Sequence, residues 1–131
     1  MAKYCYPAIL TPEEAGYSVE FPDLENCFTC GETLEEAMEM AQDALEMMLG
    51  DAEDKGEVIP PASDLRKVEA PEGALVTLVV ADTQEWRKRT SARAVKKTLT
   101  IPQWLNTAAE ERGVNFSQVL QDALKKELQL A

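Results

Sequence analysis

Residues 95–128, VKKTLTIPQWLNTAAEERGVNFSQVLQDALKKEL, decide how this 131-residue chain is read. Val95, Leu99 and Ile101, with the stem of Lys97, alternate with Lys96, Thr98 and Thr100; this period of two predicts a strand with one buried face and one polar, basic face. Pro102 ends the strand and suits a first helical position, where its missing N–H costs nothing. Trp104, Leu105, Ala108, Ala109 and Arg112 follow at helical spacing, and Gly113 supplies the stop. Asn115 is a good N-cap with Gln118 three residues on, a capping-box arrangement. Phe116, Val119, Leu120, Ala123, Leu124 and Leu128 make the apolar stripe of a second helix. A strand and two short helices of about 35 residues lie below the size at which one core sustains itself. The unit therefore needs a partner, and a second copy of itself is the expected one, giving a homodimer or a dimer of dimers.

This order and these spacings resemble the ribbon-helix-helix fold, whose two strands pair across a dimer axis and enter the DNA major groove as a two-stranded ribbon. By the resemblance, Lys96, Thr98 and Thr100 match the base-reading positions. The amides after Asn115, at Phe116 and Ser117, match the phosphate clamp, a helix N-terminus offered to an anion. A helical hairpin used for dimerisation alone is the competing reading. The Lys-x-Thr-x-Thr face, polar and free of acids, favours DNA.

Charge sharpens the division. Residues 1–84 carry four basic residues against nineteen acidic ones, a net of −15, whereas residues 85–131 carry nine basic against five acidic, a net of +4. The total of −11 thus hides two unlike halves. Arg87, Lys88, Arg89, Arg93, Lys96 and Lys97 cluster before and into the strand, and Arg87 and Lys88 are the expected phosphate contacts. The acidic half should repel DNA and suit a basic protein partner. The expected domains are residues 1–82, a basic linker over 83–94, and residues 95–131. No run reaches the 18 or so apolar residues of a membrane span, and the first residues lack the pattern of a signal peptide. A cytoplasmic protein without a membrane partner is expected, and three cysteines, an odd number, fit a reducing compartment.

The N-terminal half opens with a β-rich run, Lys3 to Leu10, which Pro7 would place at a sheet edge or just past the pairing. TPEEAG (11–16) is a turn, YSVEF (17–21) alternates as a second strand, and Phe28 to Gly31 makes a short third. Thr33 and Glu36 form a capping box. Behind them Leu34, Ala37, Met38, Ala41, Ala44, Leu45, Met48, Leu49 and Ala52 keep one apolar stripe going to a stop at Gly56. Gly50 inside it costs about 1 kcal/mol relative to Ala, so a break there is open. The opposite face bears Glu35, Glu39, Asp43, Glu46 and Glu53. A Pro-rich turn, IPPAS (59–63), precedes the strongly apolar ALVTLVVA (74–81), which reads as a central strand.

A second resemblance lies in this half. Tyr6-Pro7-Ala8-Ile9, Gly16-Tyr17-Ser18-Val19-Glu20-Phe21-Pro22-Asp23-Leu24, Cys27, Thr29, Gly31-Glu32-Thr33-Leu34-Glu35-Glu36-Ala37 and Ile59-Pro60-Pro61-Ala62-Ser63 are together similar to the HicB antitoxins of type II toxin–antitoxin systems. The family often has Pro-Gly before the cysteine, where this chain has Glu25-Asn26. The resemblance implies an α+β protein: an N-terminal truncated ribonuclease-H-like βββαβ domain followed by a DNA-binding domain, here ribbon-helix-helix. It further implies a partner, HicA, a small basic toxin of double-stranded-RNA-binding fold that cleaves mRNA, which HicB covers while the complex represses its own operon at operator DNA. Glu35, Glu39, Asp43 and Glu46, on the acidic helix face, are the expected toxin contacts. A solitary HicB-like or ligand-sensing repressor without a toxin is the alternative.

Other chemistries fit less well. Cys27-Phe28-Thr29-Cys30 has a zinc or redox spacing, but zinc needs about four ligands and the chain offers no histidine and one further cysteine, Cys5. Glu20, Asp23 and Glu32 could form a carboxylate group, yet acids are abundant throughout. The absence of histidine removes the commonest acid-base residue, and neither a phosphate loop nor a nucleophile motif occurs. No enzyme, cofactor or metal is expected.

Overall fold

Alternating residues near the N-terminus fold into a hairpin closed at Gly16, whose φ of 117° is an angle that side chains avoid. In the computed structural model, which describes residues 2–91 and 93–130, this hairpin joins β1 (Lys3–Glu13) to β2 (Gly16–Glu20), and β3 (Phe28–Gly31), α1 (Leu34–Lys55) and β4 (Leu75–Asp82) follow. The strands form one antiparallel sheet in the order β3-β2-β1-β4. The expected βββαβ succession is the one found. Met1, Ala92 and Ala131, which the expected domain spans include, lie outside the described residues.

The core sits between one sheet face and α1. Ala37, Ala41, Leu45 and Leu49, four residues apart, are buried against Tyr6, Ala8, Leu10, Val19, Phe21, Val79 and Ala81. Phe21, Leu45 and Leu49 are fully buried, each contributing about 1.5–3 kcal/mol by removal from water. Small residues bring helix and sheet close: a Cβ on Gly31 would stand 2.4 Å from the Ala37 nitrogen. Thr33 starts α1 by accepting the Glu36 N–H at 3.1 Å, and Gly56 ends it at φ 68°. Asn26 turns the chain before Cys27 at φ 60°, a left-handed angle that asparagine tolerates.

Sheet order departs from expectation at two strands. β4 is an edge strand, not a central one, and β1 with Pro7 is internal. Apolar residues on β4 that suggested burial on both faces, Leu78 and Val80, lie on the face away from α1 and are about half exposed, at 47% and 53%. Pro7 is tolerated by ladder parity. Thr83 donates its N–H to the Ala2 carbonyl, while the Asp82 N–H and the Val80 carbonyl turn away to side chains of α1. Continuing that alternation through Pro7↔Leu78 puts Pro7 where no N–H is owed to β4, and on its other side β2 begins pairing at Ile9.

Residues 83–90, expected as linker, are helix α2 (Thr83–Thr90) packed on α1. Asp82 caps it by accepting the Gln84 and Glu85 amides at 3.0 and 3.2 Å. The chain divides into two units at Arg93 and Ala94, so α2 belongs to the first.

In the second unit, α3 (Gln103–Glu111) and α4 (Phe116–Glu127) fall where the periodicity puts them. Pro102 is the cap of α3 rather than its first helical residue. Gly113, at φ 67°, separates the helices, and Asn115 caps α4 by accepting the Gln118 N–H at 3.0 Å. No residue of either helix is buried: Trp104 is 72% exposed, Val119 54% and Leu124 50%. Residues 95–101, expected as a strand, belong to no strand or helix in the single chain. A strand needs a pairing partner to exist, and the described residues offer it none.

Candidate functional site

The acidic face of α1 is not uniform. Glu35 and Glu39, on its first turns, are exposed. Asp43 is exposed too but faces Arg89 at 3.6 Å. Glu46 is 3% exposed: one oxygen accepts the Asp82 N–H at 3.0 Å and the other the Arg89 guanidinium at 2.7 Å. It therefore fastens β4 and α2 to α1 and leaves the set of open contacts expected for a protein partner.

Further along, Glu53 accepts bonds from the Tyr4 hydroxyl at 2.7 Å, the Thr83 hydroxyl at 3.1 Å and Arg87 at 2.7 Å. Burial alone would raise its carboxyl, but the bonds from Tyr4, Arg87 and Thr83 outweigh burial and hold it at about 2. The bond to Glu53, with burial, pushes Tyr4 up to about 12. A carboxyl lowered from its ordinary 4.5 contributes stability above that value, and this is lost as pH falls toward 2. Glu53→Gln is expected to cost about 2 kcal/mol at neutral pH and to flatten the loss of stability across that acid window. Thermal melts between those pH values check it; equal slopes in the two proteins would contradict it.

Arg87, expected on DNA phosphate, is committed elsewhere. Its guanidinium reaches Glu53, Asp54 at 2.6 Å and the Gly50 carbonyl at 3.1 Å. Lys88 pairs on the surface with Glu85 at 3.0 Å, a contact worth at most about 1 kcal/mol, and stays available. The basic cluster is thus split, with Arg87 and Arg89 turned onto α1 and Lys88, Arg93, Lys96 and Lys97 exposed. Sequence reading missed that split, although Gly50 and Trp86 hold a signal of it: a Cβ at residue 50 would stand 2.3 Å from the Trp86 ring.

Two family motif blocks meet in space. Asp23 accepts both the backbone N–H of Ser63, at 2.9 Å, and its hydroxyl, and the Tyr6 hydroxyl donates to the Pro60 carbonyl. These residues hold the IPPAS segment against the sheet. Among the described residues no group of acids, cysteines or histidines is arranged to hold a metal. Burial pushes the Cys27 thiol up to about 11, whereas Cys5 and Cys30 are exposed and free.

On the second unit Lys96, Thr98 and Thr100 are exposed, as are Val95, Leu99 and Ile101 between them. Among the described residues no acceptor meets the N–H of Phe116 or Ser117, while those of Gln118 and Val119 are taken by Asn115. The start of α4 can therefore offer two amides to an anion.

The first unit is thus an acidic sheet-and-helix unit, and in the second no residue of α3 or α4 is buried. The family model described as the HicB-like antitoxin of bacterial toxin–antitoxin systems matches residues 6–123, and the chain belongs to that family, one of antitoxins and not of enzymes. Antitoxin HicB 2 of Photorhabdus laumondii is 32% identical over 100 residues, 75% of this chain and 72% of that protein. Against two further curated HicB antitoxins, from P. laumondii and Escherichia coli K12, the match spans 26% and 44% of their length. Among solved structures, a toxin–antitoxin complex from Streptococcus pneumoniae has a chain 29% identical, with TM-score 0.63, covering 96% of this chain and 99% of its own. A HicA3 and HicB3 toxin–antitoxin complex has a chain 26% identical, with TM-score 0.52, covering 60% of this chain and 99% of its own. Among the described residues no helix is long and apolar enough to cross a membrane.

Proposed function

We propose that this chain binds and inhibits a HicA-type mRNA-cleaving toxin through its first unit and represses its own operon through a dimeric second unit. The observation that carries the reading is the division of charge along the chain: residues 1–84 carry a net −15 and residues 85–131 a net +4, and the helices of the second unit bury no residue. Glu35, Glu39 and Asp43 attract the basic toxin at the open start of α1. Glu46 is left out because it is buried. The first unit is read as a truncated ribonuclease-H-like domain working in the cytoplasm.

In the second unit, residues 95–101 of two copies pair as a ribbon-helix-helix strand and bury Val95, Leu99 and Ile101 against α3 and α4. Lys96, Thr98 and Thr100 then face the major groove. The amides of Phe116 and Ser117 after Asn115, with Lys88, take phosphates; Arg87 does not. Thr98→Ala and Thr100→Ala should each remove about 1–3 kcal/mol of base discrimination and leave non-specific binding intact. Lys88→Ala should weaken all DNA alike and flatten the salt slope by about one unit. Gel shifts on the chain's own promoter and on scrambled DNA, at several salt concentrations, test this. Threonine variants with full affinity and sequence preference would reduce the second unit to a dimerisation device.

A further inference from the structure

Thr83, fully buried and bonded to Ala2 and Glu53, fixes the start of α2, and beyond it the helix is fastened to α1 by two kinds of contact. The Trp86 ring lies on Gly50, so close that a Cβ there would stand 2.3 and 2.4 Å from its Cζ3 and Cε3 atoms. Around it, Arg87 bridges Glu53 and Asp54 at 2.7 and 2.6 Å, and Arg89 reaches Glu46 at 2.7 Å and Asp43 at 3.6 Å. Asp43 and Asp54 are each 60% exposed, so a competing cation can reach them from solvent. Eight residues are too few for a helix to persist alone, and α2 therefore exists only while seated. Thr90 ends it, and the second unit begins at Ala94.

We propose that α2 is a releasable clasp on the connection between the two units. A partner that presents arginines to the exposed Asp43 and Asp54 competes with Arg89 and Arg87 for these carboxylates, Trp86 leaves Gly50, and α2 unwinds. Residues 84–90 then become free chain, adding up to about 25 Å to the tether to the second unit when extended. Arg87 and Arg89 act in this scheme as an internal stand-in for the basic partner. Binding at the first unit is thereby coupled to the freedom of the second, with no contact required between partner and DNA. The identity of the natural trigger, a basic toxin, rests on the proposed function; the clasp does not.

The test uses the full chain carrying Trp104→Phe, which leaves Trp86 as the sole tryptophan reporter. Hexa-arginine peptide is titrated against sodium chloride of equal ionic strength. The expected result is a saturable red shift of Trp86 emission, with faster hydrogen exchange over residues 84–90 and unchanged protection in β1 and α1. Gly50→Ala expels the ring without altering a charge, so it should start red-shifted and no longer respond. Arg89→Ala, which deletes one exposed guanidinium, should respond at lower peptide concentration. Emission and exchange in hexa-arginine identical to those in matched salt would make α2 a fixed part of the first unit and overturn the proposal. Neither toxin nor DNA enters the experiment, so its failure is distinct from failure of the antitoxin reading.

Discussion

Leu120→Asp is expected to abolish dimerisation and leave residues 94–131 without stable structure, while the first unit keeps its fold. Among the described residues the apolar stripe of α4 is only half covered within one chain: Phe116, Val119, Leu124 and Leu128 remain 43–60% exposed. A unit below about 40 residues needs a partner to bury its core, and a carboxylate placed in that shared core costs several kcal/mol because it has no counter-charge there. Leu99→Asp should act the same way through the strand. Light scattering should show a dimer, or a dimer of dimers, for the native chain and a monomer for either variant, and specific DNA binding should fall with it. A folded, monomeric second unit at micromolar concentration would contradict the ribbon-helix-helix reading.

The elements that depend on neighbouring residues were legible in the sequence. Thr33, Gly56, Gly113 and Asn115 mark helix ends by local hydrogen bonds and backbone angles, and all four stand at the ends they mark. Strand order was not legible, because it is set by which strands meet across the fold. An apolar β4 reads the same whether both faces are buried or one awaits a partner, and Pro7 is harmless inside a sheet at one parity and disruptive at the other. Helix α2 was hidden because TQEWRKRT lacks an apolar stripe; the buried Thr83, one ring on one glycine and two guanidiniums hold it. The candidate site suffered for the same reason. Glu39 and Glu46 share a helix face, yet the strand and helix that fold back over Glu46 come from residues 82–89, far away in sequence.

Residues 1–93 alone are expected to silence a HicA-type toxin. The core that holds the sheet to α1 lies wholly within the first unit, so the fragment should fold without the C-terminal half. A basic RNA-cutting protein is drawn to the open carboxylates by long-range attraction, which raises association rates by roughly 10–10³ and weakens with salt. Glu35→Lys with Glu39→Lys should remove most of that advantage and restore toxicity, since like charges at a docking face cost several kcal/mol. The central claim, that the first unit is the toxin-neutralising part, is tested most directly by co-expressing residues 1–93 with the toxin and following growth. The account predicts continued growth with the native fragment and arrest with the double lysine variant at equal soluble levels; arrest despite soluble native fragment would contradict it.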